Sequence, residues 1–138
     1  MSRAHISRLL FLAAAWTVAG ALLAGCGAPL GGGSEATVTG DALTVRLTEY
    51  QFEPQDLTLP PRPIEVRVVN NGSLAHNWRI FRGDSEKQLV GTPTFQGGTQ
   101  ERLTVDLEPG TYTVRSTVGN QEELGMKGTI EVRRPSDR

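Results

Sequence analysis

Strict alternation of apolar and polar residues is the feature that most limits what this chain can fold into. From residue 41 onward, most segments between turns place an apolar side chain at every second position. A strand with one buried face requires this period of two, whereas an amphipathic helix requires a period near 3.6. The pattern predicts strands at 43–48, 57–59, 64–69, 77–80, 103–107, 112–115 and 130–132, with one more short strand near 94–96.

Turn-forming residues separate these segments. Proline, glycine and asparagine cluster at 60–63, 70–72, 97–98 and 108–110, where a fixed or positive φ is useful. The stretch 84–98 is the least regular part and is predicted to be a long crossover loop. Seven to eight short strands predict an all-β, antiparallel Greek-key sandwich, because a single sheet of this size could not cover its own apolar face.

The first 25 residues have the composition of an export signal. Seventeen of them are apolar and none is acidic, against 38% apolar residues in the whole chain. Arg3 and Arg8 precede an uncharged run at 9–23, which is 15 residues long and shorter than the roughly 20 needed to span a bilayer. We therefore predict a signal peptide at residues 1–25 and export from the cytoplasm.

The signal ends at Cys26, the only cysteine of the chain, so no intramolecular disulfide can form. The sequence Leu-Ala-Gly-Cys at 23–26 resembles the bacterial lipobox, whose cysteine takes a diacylglyceryl group. We predict a lipid on Cys26, a flexible glycine-rich tether through residue 40, a folded domain at 41–134 and a tail at 135–138. The lipid would be the contact with the membrane, on its extracytoplasmic side; an ordinary signal peptide with an incidental cysteine is the alternative.

Length and charge exclude other classes of protein. The 138 residues suffice for one ordinary domain and not for a multidomain enzyme. The 14 basic residues balance 15 acidic ones, and a nucleic-acid-binding protein needs a basic surface. No nucleic-acid partner is expected.

Two loops resemble the ligand loops of cupredoxins, the blue copper proteins. Residues 69–77, with the sequence Val-Asn-Asn-Gly-Ser-Leu-Ala-His-Asn, resemble the segment that carries the first histidine ligand. Residues 109–118, followed by 125–128, resemble the second ligand loop. The match extends over nearly all of 41–133 and implies a cupredoxin-like sandwich with His76 at the first ligand position.

The second loop departs from the pattern of that family. It normally supplies a cysteine, a histidine and an axial methionine, and in some members four residues separate each ligand from the next. The corresponding positions here are Ser116, Gln121 and Met126. A blue copper site needs a thiolate and two imidazoles with a weak axial thioether, so the resemblance implies a degenerate centre in which only His76 and Met126 retain the ligand type. Asn77 is expected to tie the two loops together through side-chain hydrogen bonds.

These residues favour one function and leave others open. We expect a non-redox binding or scaffold module with an unknown partner protein in the cell envelope and no cofactor. The alternative is a copper-binding protein, for electron transfer or for weak copper capture through His76 and Met126. Enzymatic activity is not expected, because a Ser116–His76 pair lacks the G-x-S-x-G elbow of hydrolases. Glu122 and Glu123 are adjacent acids on a loop, which usually face water.

Overall fold

The computed structural model describes residues 33–134 and 136, and this part of the chain contains ten strands and no helix. The predicted signal peptide and the lipidation candidate Cys26 lie outside the described residues, as do 27–32 and most of the predicted tail. The strands are β1 (Glu35–Thr37), β2 (Ala42–Thr48), β3 (Gln51–Glu53), β4 (Asp56–Leu59), β5 (Ile64–Asn70), β6 (Arg79–Phe81), β7 (Gln88–Gly91), β8 (Gln100–Val105), β9 (Gly110–Arg115) and β10 (Lys127–Val132).

The strands form two sheets that enclose one apolar core. The larger sheet has the order β1-β4-β10-β9-β6-β7 and the smaller one β3-β2-β5-β8. Alternation fixes which side chains point inward: in β5, Ile64, Val66 and Val68 are buried while the residues between them are exposed or less buried. In β10 of the other sheet, Ile130 and Val132 are also buried and belong to the same core. The prediction of an all-β sandwich is confirmed.

Strand direction and strand number differ from the expectation. Three neighbouring pairs are parallel, namely β1 with β4, β4 with β10 and β2 with β5, so both sheets are mixed and not purely antiparallel. A period of two reports which face is buried and carries no information about direction. The ten strands exceed the predicted seven to eight, because β1, β3 and β7 have only three or four residues each.

The end of the predicted tether is part of the sandwich. The backbone N–H of Gln55 donates to the carbonyl of Ser34 at 2.7 Å, and that of Val38 donates to a carbonyl of β4. Ala36 and Val38 pack against the core. The prediction of a flexible tether is therefore wrong for residues 33–40; two apolar positions are too few to produce a recognisable period.

The predicted crossover loop also contains more structure than expected. Residues 88–91 form β7, which pairs antiparallel with β6. Near 94–96 there is no strand but a single antiparallel bridge between Phe95 and His76. Within residues 33–134, no helix is long and apolar enough to cross a membrane.

Candidate functional site

Two loops meet at one end of the sandwich, which we call the site end. The first, residues 71–78, connects β5 to β6, and the second, residues 116–126, connects β9 to β10. The turn at 49–50 between β2 and β3 lies beside them, because the carbonyl of Tyr50 would contact a side chain placed at Gly125. The loops bury all four side chains that occupy the predicted ligand positions: His76, Ser116, Gln121 and Met126.

The side chain of Gln121 is the centre of this cluster. Its Oε1 lies 2.8 Å from Nδ1 of His76 and accepts a hydrogen bond of 2.8 Å from the hydroxyl of Ser116. Its Nε2 donates to the carbonyl of Ala75 at 3.0 Å, which fixes the orientation of the amide. An amide oxygen can only accept, so Nδ1 of His76 must carry a hydrogen. The three side chains form a bridge between the loops.

Met126 takes part in the cluster through its backbone. Its carbonyl accepts from the N–H of Ser116 at 3.0 Å, and its own N–H donates to the carbonyl of Gln121 at 2.9 Å. The side chain is fully buried among the apolar residues of the core. The backbone of Met126 therefore closes the second loop, and its side chain is part of the buried core.

Asn77 joins the two loops beside the cluster. Its Nδ2 donates to the hydroxyls of Thr94 and Thr117, both at 3.1 Å, and its Oδ1 accepts from the N–H of Thr117 at 2.8 Å. The side chain is 1% exposed. This is the geometry that the expected loop tie requires.

We predict that Asn77→Ala destabilises the fold by about 2 kcal/mol, because it removes the three hydrogen bonds that the buried side chain of Asn77 makes to Thr94 and Thr117. Asn71→Ala is the control, since Asn71 is exposed in the same loop. Denaturant unfolding of both variants measures the difference. A loss for Asn77→Ala no larger than that of the control would contradict the tie.

The first loop is also held by Asn70 at the end of β5. The buried Nδ2 of Asn70 donates to the carbonyls of Leu74 and Phe95, at 2.9 and 3.2 Å, and its Oδ1 accepts from the N–H of Gly72 at 3.0 Å. The backbones of His76 and Phe95 exchange two further hydrogen bonds. His76 thus has a fixed position without any contribution from a metal.

Glu49 stabilises the same loop from the neighbouring turn, and sequence analysis did not find it. Its carboxylate accepts hydrogen bonds from the backbone N–H groups of Ser73 and Leu74. These bonds, with that to Ser73 the strongest cause, hold the pKa of Glu49 below its ordinary value. No sequence signal connects Glu49 with residues 24 and 25 positions away.

Glu49→Gln should lower the melting temperature modestly near neutral pH and have no effect in acid. Because the pKa is lowered from 4.5 in the folded state, ionised Glu49 stabilises the fold above that value, and the contribution disappears as the pH falls through the lowered pKa. Melting curves between acid and neutral pH measure the effect, with Glu65→Gln as an exposed control. A difference between wild type and Glu49→Gln that stays constant with pH would argue against this role.

Arg115 anchors the second loop at the end of β9. Its guanidinium lies 4.1 Å from the ring centre of Phe81 and pairs with Glu122 at 3.5 Å. Glu122 also pairs with Lys127 at 3.1 Å, across the loop. The expectation that both loop acids simply face water is therefore wrong for Glu122, whose side chain is 31% exposed, because two cations on the flanking strands draw it inward.

Solved structures share this architecture, although no family model and no curated protein matches the chain. Auracyanin from the photosynthetic bacterium Roseiflexus castenholzii has a TM-score of 0.62 at 20% identity, over 69% of this chain and 98% of that one. Auracyanin B has a TM-score of 0.61 at 22% identity, over 67% and 88%. Rusticyanin from Thiobacillus ferrooxidans has a TM-score of 0.61 at 17% identity, over 75% and 85%. These proteins are cupredoxins. The chain has the cupredoxin fold.

The side chains at the site end of this cupredoxin fold do not fit a blue copper ion. Such a site takes a thiolate and two unprotonated imidazole nitrogens, and residues 33–134 contain no cysteine and only one histidine. That histidine uses Nδ1 as a donor to Gln121, and its Nε2 is buried without a hydrogen-bond partner among the described residues. No group of three His, Cys, Asp or Glu that could hold a metal occurs in the described part of the chain.

The loops and the turn of the site end carry exposed apolar side chains. Of the four large apolar residues exposed in the described part, three belong to the site end: Tyr50, Leu74 and Leu124, between 41% and 48% exposed. Two contacts connect their segments: the backbone N–H of Leu74 donates to the carboxylate of Glu49, next to Tyr50, and the carbonyl of Tyr50 lies against Gly125. Tyr50 is held at a φ of 65°, a conformation that is uncommon for a bulky residue. The apolar groups are therefore presented by fixed loops.

Proposed function

We propose that this protein is an exported, lipid-anchored binding module of the bacterial cell envelope, in which buried hydrogen bonds have replaced a copper centre. The cupredoxin fold supports a relation to copper proteins. The observation that carries the proposal is the amide of Gln121, which accepts from both His76 and Ser116 at 2.8 Å. Three of the four side chains at the expected ligand positions are therefore hydrogen-bonded to one another.

The chemistry of these side chains argues against electron transfer. A serine hydroxyl does not ionise near neutral pH and cannot supply the thiolate of a blue copper site. Binding copper at Nδ1 of His76 would require breaking the bond to Gln121 and displacing a buried amide that has partners on both its oxygen and its nitrogen. A buried donor left without its partner costs about 1–3 kcal/mol, which opposes metal capture.

The same contacts argue against hydrolysis by a serine nucleophile. The hydroxyl of Ser116 donates to Gln121 and not to His76. Ser116 is fully buried, whereas a nucleophile must have both a base within hydrogen-bond reach and access to its substrate. We infer no enzymatic role for this pair.

The binding face of the proposed module is the apolar surface formed by Tyr50, Leu74 and Leu124. Exposed apolar groups held by fixed loops at one end of a fold are typical of protein interaction sites. We infer a partner protein in the envelope. Leu74→Ser with Leu124→Ser should reduce cross-linking to that partner in intact cells, whereas Leu89→Ser, on β7 and similarly exposed, should not.

The membrane anchor is supported by the sequence around Cys26. Changing Cys26 to Ser should release the protein from the membrane fraction without altering the melting of the sandwich. Seven residue steps separate Cys26 from Gly33, and none of the described strands includes them. Persistence of the variant in the membrane fraction, or loss of its thermal transition, would contradict the proposal.

Titration with Cu(II), followed by visible absorption, tests the loss of redox function. The proposal predicts no absorption change with the wild-type protein. An intense thiolate-to-copper band would identify an electron carrier, and weak d–d bands would identify simple copper capture. Either result would overturn the proposal of a metal-free module.

A further inference from the structure

A cleft at the opposite end of the sandwich has the composition of an anion-binding site. It has a volume of about 650 Å³ and is lined by residues of three segments, 37–39, 58–62 and 133–134. β10 begins next to Met126 at the site end and finishes just before Arg133, so the length of a strand separates this cleft from the cluster around Gln121. We call it the arginine cleft, after its charged lining residues Arg62, Arg133 and Arg134.

The lining combines cations with an apolar floor. Val38, Leu59 and the two prolines at 60–61 contribute apolar surface, and none of the described residues that line the cleft is acidic. A guanidinium presents several N–H groups in a planar fork, which suits bidentate binding of phosphate. The cleft therefore suits a phosphate group attached to an apolar body.

Arg62 forms a rigid wall of the cleft. Its Nη2 donates to the carbonyls of Thr39 and Gly40 at 2.7 and 3.1 Å, and its Nε pairs with Asp41 at 3.1 Å. Among the described residues, the side chain of Arg133 is held more weakly, by one ion pair of 3.5 Å with the exposed Glu131. Exposed pairs of that kind contribute little, so a phosphate can replace the glutamate at small cost.

The distribution of charge gives the domain an orientation. Residues 33–134 carry 11 Lys and Arg against 14 Asp and Glu, so the arginine cleft is a basic surface on an acidic domain. At the site end, Glu49 and Glu123 add negative charge, whereas Glu122 is paired with Arg115 and Lys127. A negatively charged membrane surface attracts the cleft and repels the site end.

The lipid anchor determines which phosphate-bearing molecules lie close to the arginine cleft. The inference rests on the proposed lipid anchor at Cys26. The seven residue steps from Cys26 to Gly33 span at most about 25 Å, and four more steps lead to Thr37 at the cleft. An anchored domain meets membrane lipid at a high effective concentration, so even a weak site is occupied. We propose that the arginine cleft binds the phosphate of an anionic phospholipid and thereby turns the site end, with its apolar binding face, away from the membrane.

The test uses the full lipidated protein on vesicles of phosphatidylcholine with or without phosphatidylglycerol. A dye is attached to a single introduced cysteine, at Thr39→Cys beside the cleft or at Asn120→Cys at the site end, and nitroxide-labelled lipids quench it. Quenching at position 39 should increase when phosphatidylglycerol is present, and quenching at position 120 should decrease. Identical quenching on both kinds of vesicle would overturn the proposal.

Matched variants separate the cleft from general electrostatics. Phosphatidylglycerol is expected to increase the population of domains whose cleft faces the membrane. Arg133→Gln with Arg134→Gln should reduce this population by roughly fivefold for each arginine removed. Arg67→Gln with Arg102→Gln makes the same change in charge on the exposed face of the smaller sheet. This double variant should leave the population of domains whose cleft faces the membrane unchanged. Equal losses in both double variants would refute a specific cleft.

Two further measurements distinguish the possible failures. Glycerol phosphate added at constant ionic strength should not abolish the effect; abolition at low millimolar concentration would identify a site for soluble phosphate instead of lipid. Failure of the protein to float with phosphatidylcholine vesicles would contradict the anchor and not the cleft. In that case, flotation with phosphatidylglycerol vesicles that depends on Arg133 and Arg134 supports the cleft, and flotation independent of them overturns it.

Discussion

A variant carrying both Ser116→Cys and Gln121→His should turn blue or green with Cu(II). The two loops already hold His76, and the carbonyl and N–H of Met126 fix the positions of 116 and 121. The variant would therefore offer a thiolate, two imidazoles and an axial thioether, which is the ligand set of a blue copper site. Serine and cysteine differ little in volume, and glutamine and histidine are comparable, so the buried cluster should tolerate both changes. Visible absorption after addition of one equivalent of Cu(II) measures the result.

The two single variants are the matched controls. Each lacks one equatorial ligand, so each should give at most weak absorption as water completes the copper shell. A double variant that folds but shows no intense visible band would contradict the assignment of positions 116 and 121. An intense band in either single variant would show that the remaining side chains are more adaptable than the structure implies.

Gln121→Ala should destabilise the wild-type fold by about 3 kcal/mol. The substitution removes the acceptor of two buried donors and the donor to the carbonyl of Ala75, and each buried polar group left unpaired costs about 1–3 kcal/mol. It also leaves a cavity between the loops. Denaturant unfolding measures the loss, with Gln100→Ala, at an exposed position of β8, as the control.

A double-mutant cycle with Ser116→Ala separates the hydrogen bonds from the cavity. Once Gln121 is removed, the hydroxyl of Ser116 has lost its acceptor, so deleting it should cost less than in the wild type, with a coupling of about 0.5–3 kcal/mol. Additive losses would mean that the bond between Ser116 and Gln121 contributes no stability.

The sandwich was predictable because burial of one face leaves a direct mark on the sequence. Segments such as 64–69, where every second residue is apolar, correspond to strands whose inward side chains are buried. The parallel pairing of β2 with β5 and of β4 with β10 was not predictable, because strand order and direction depend on how the loops route the chain. β1 escaped detection because only Ala36 and Val38 mark its buried side.

The position of the site was predictable and its chemistry only in part. The resemblance of the loops placed His76 and Gln121 at one end of the fold, but the bond between their side chains joins residues 45 positions apart. Nothing in the sequence indicates that an amide would orient its oxygen toward both His76 and Ser116. The contribution of Glu49 depends on a turn that contacts the loop only in the folded chain.

The protonation of the His76 ring, observed by nitrogen-15 NMR, tests the central claim most directly. Since Oε1 of Gln121 is an acceptor 2.8 Å from Nδ1, we expect a hydrogen on Nδ1 that exchanges slowly with water. That signal should be the same with a chelator present and after one equivalent of diamagnetic Cu(I). An Nδ1 without hydrogen, or an Nδ1–H signal that disappears when Cu(I) is added, would contradict the replacement of the metal centre by hydrogen bonds.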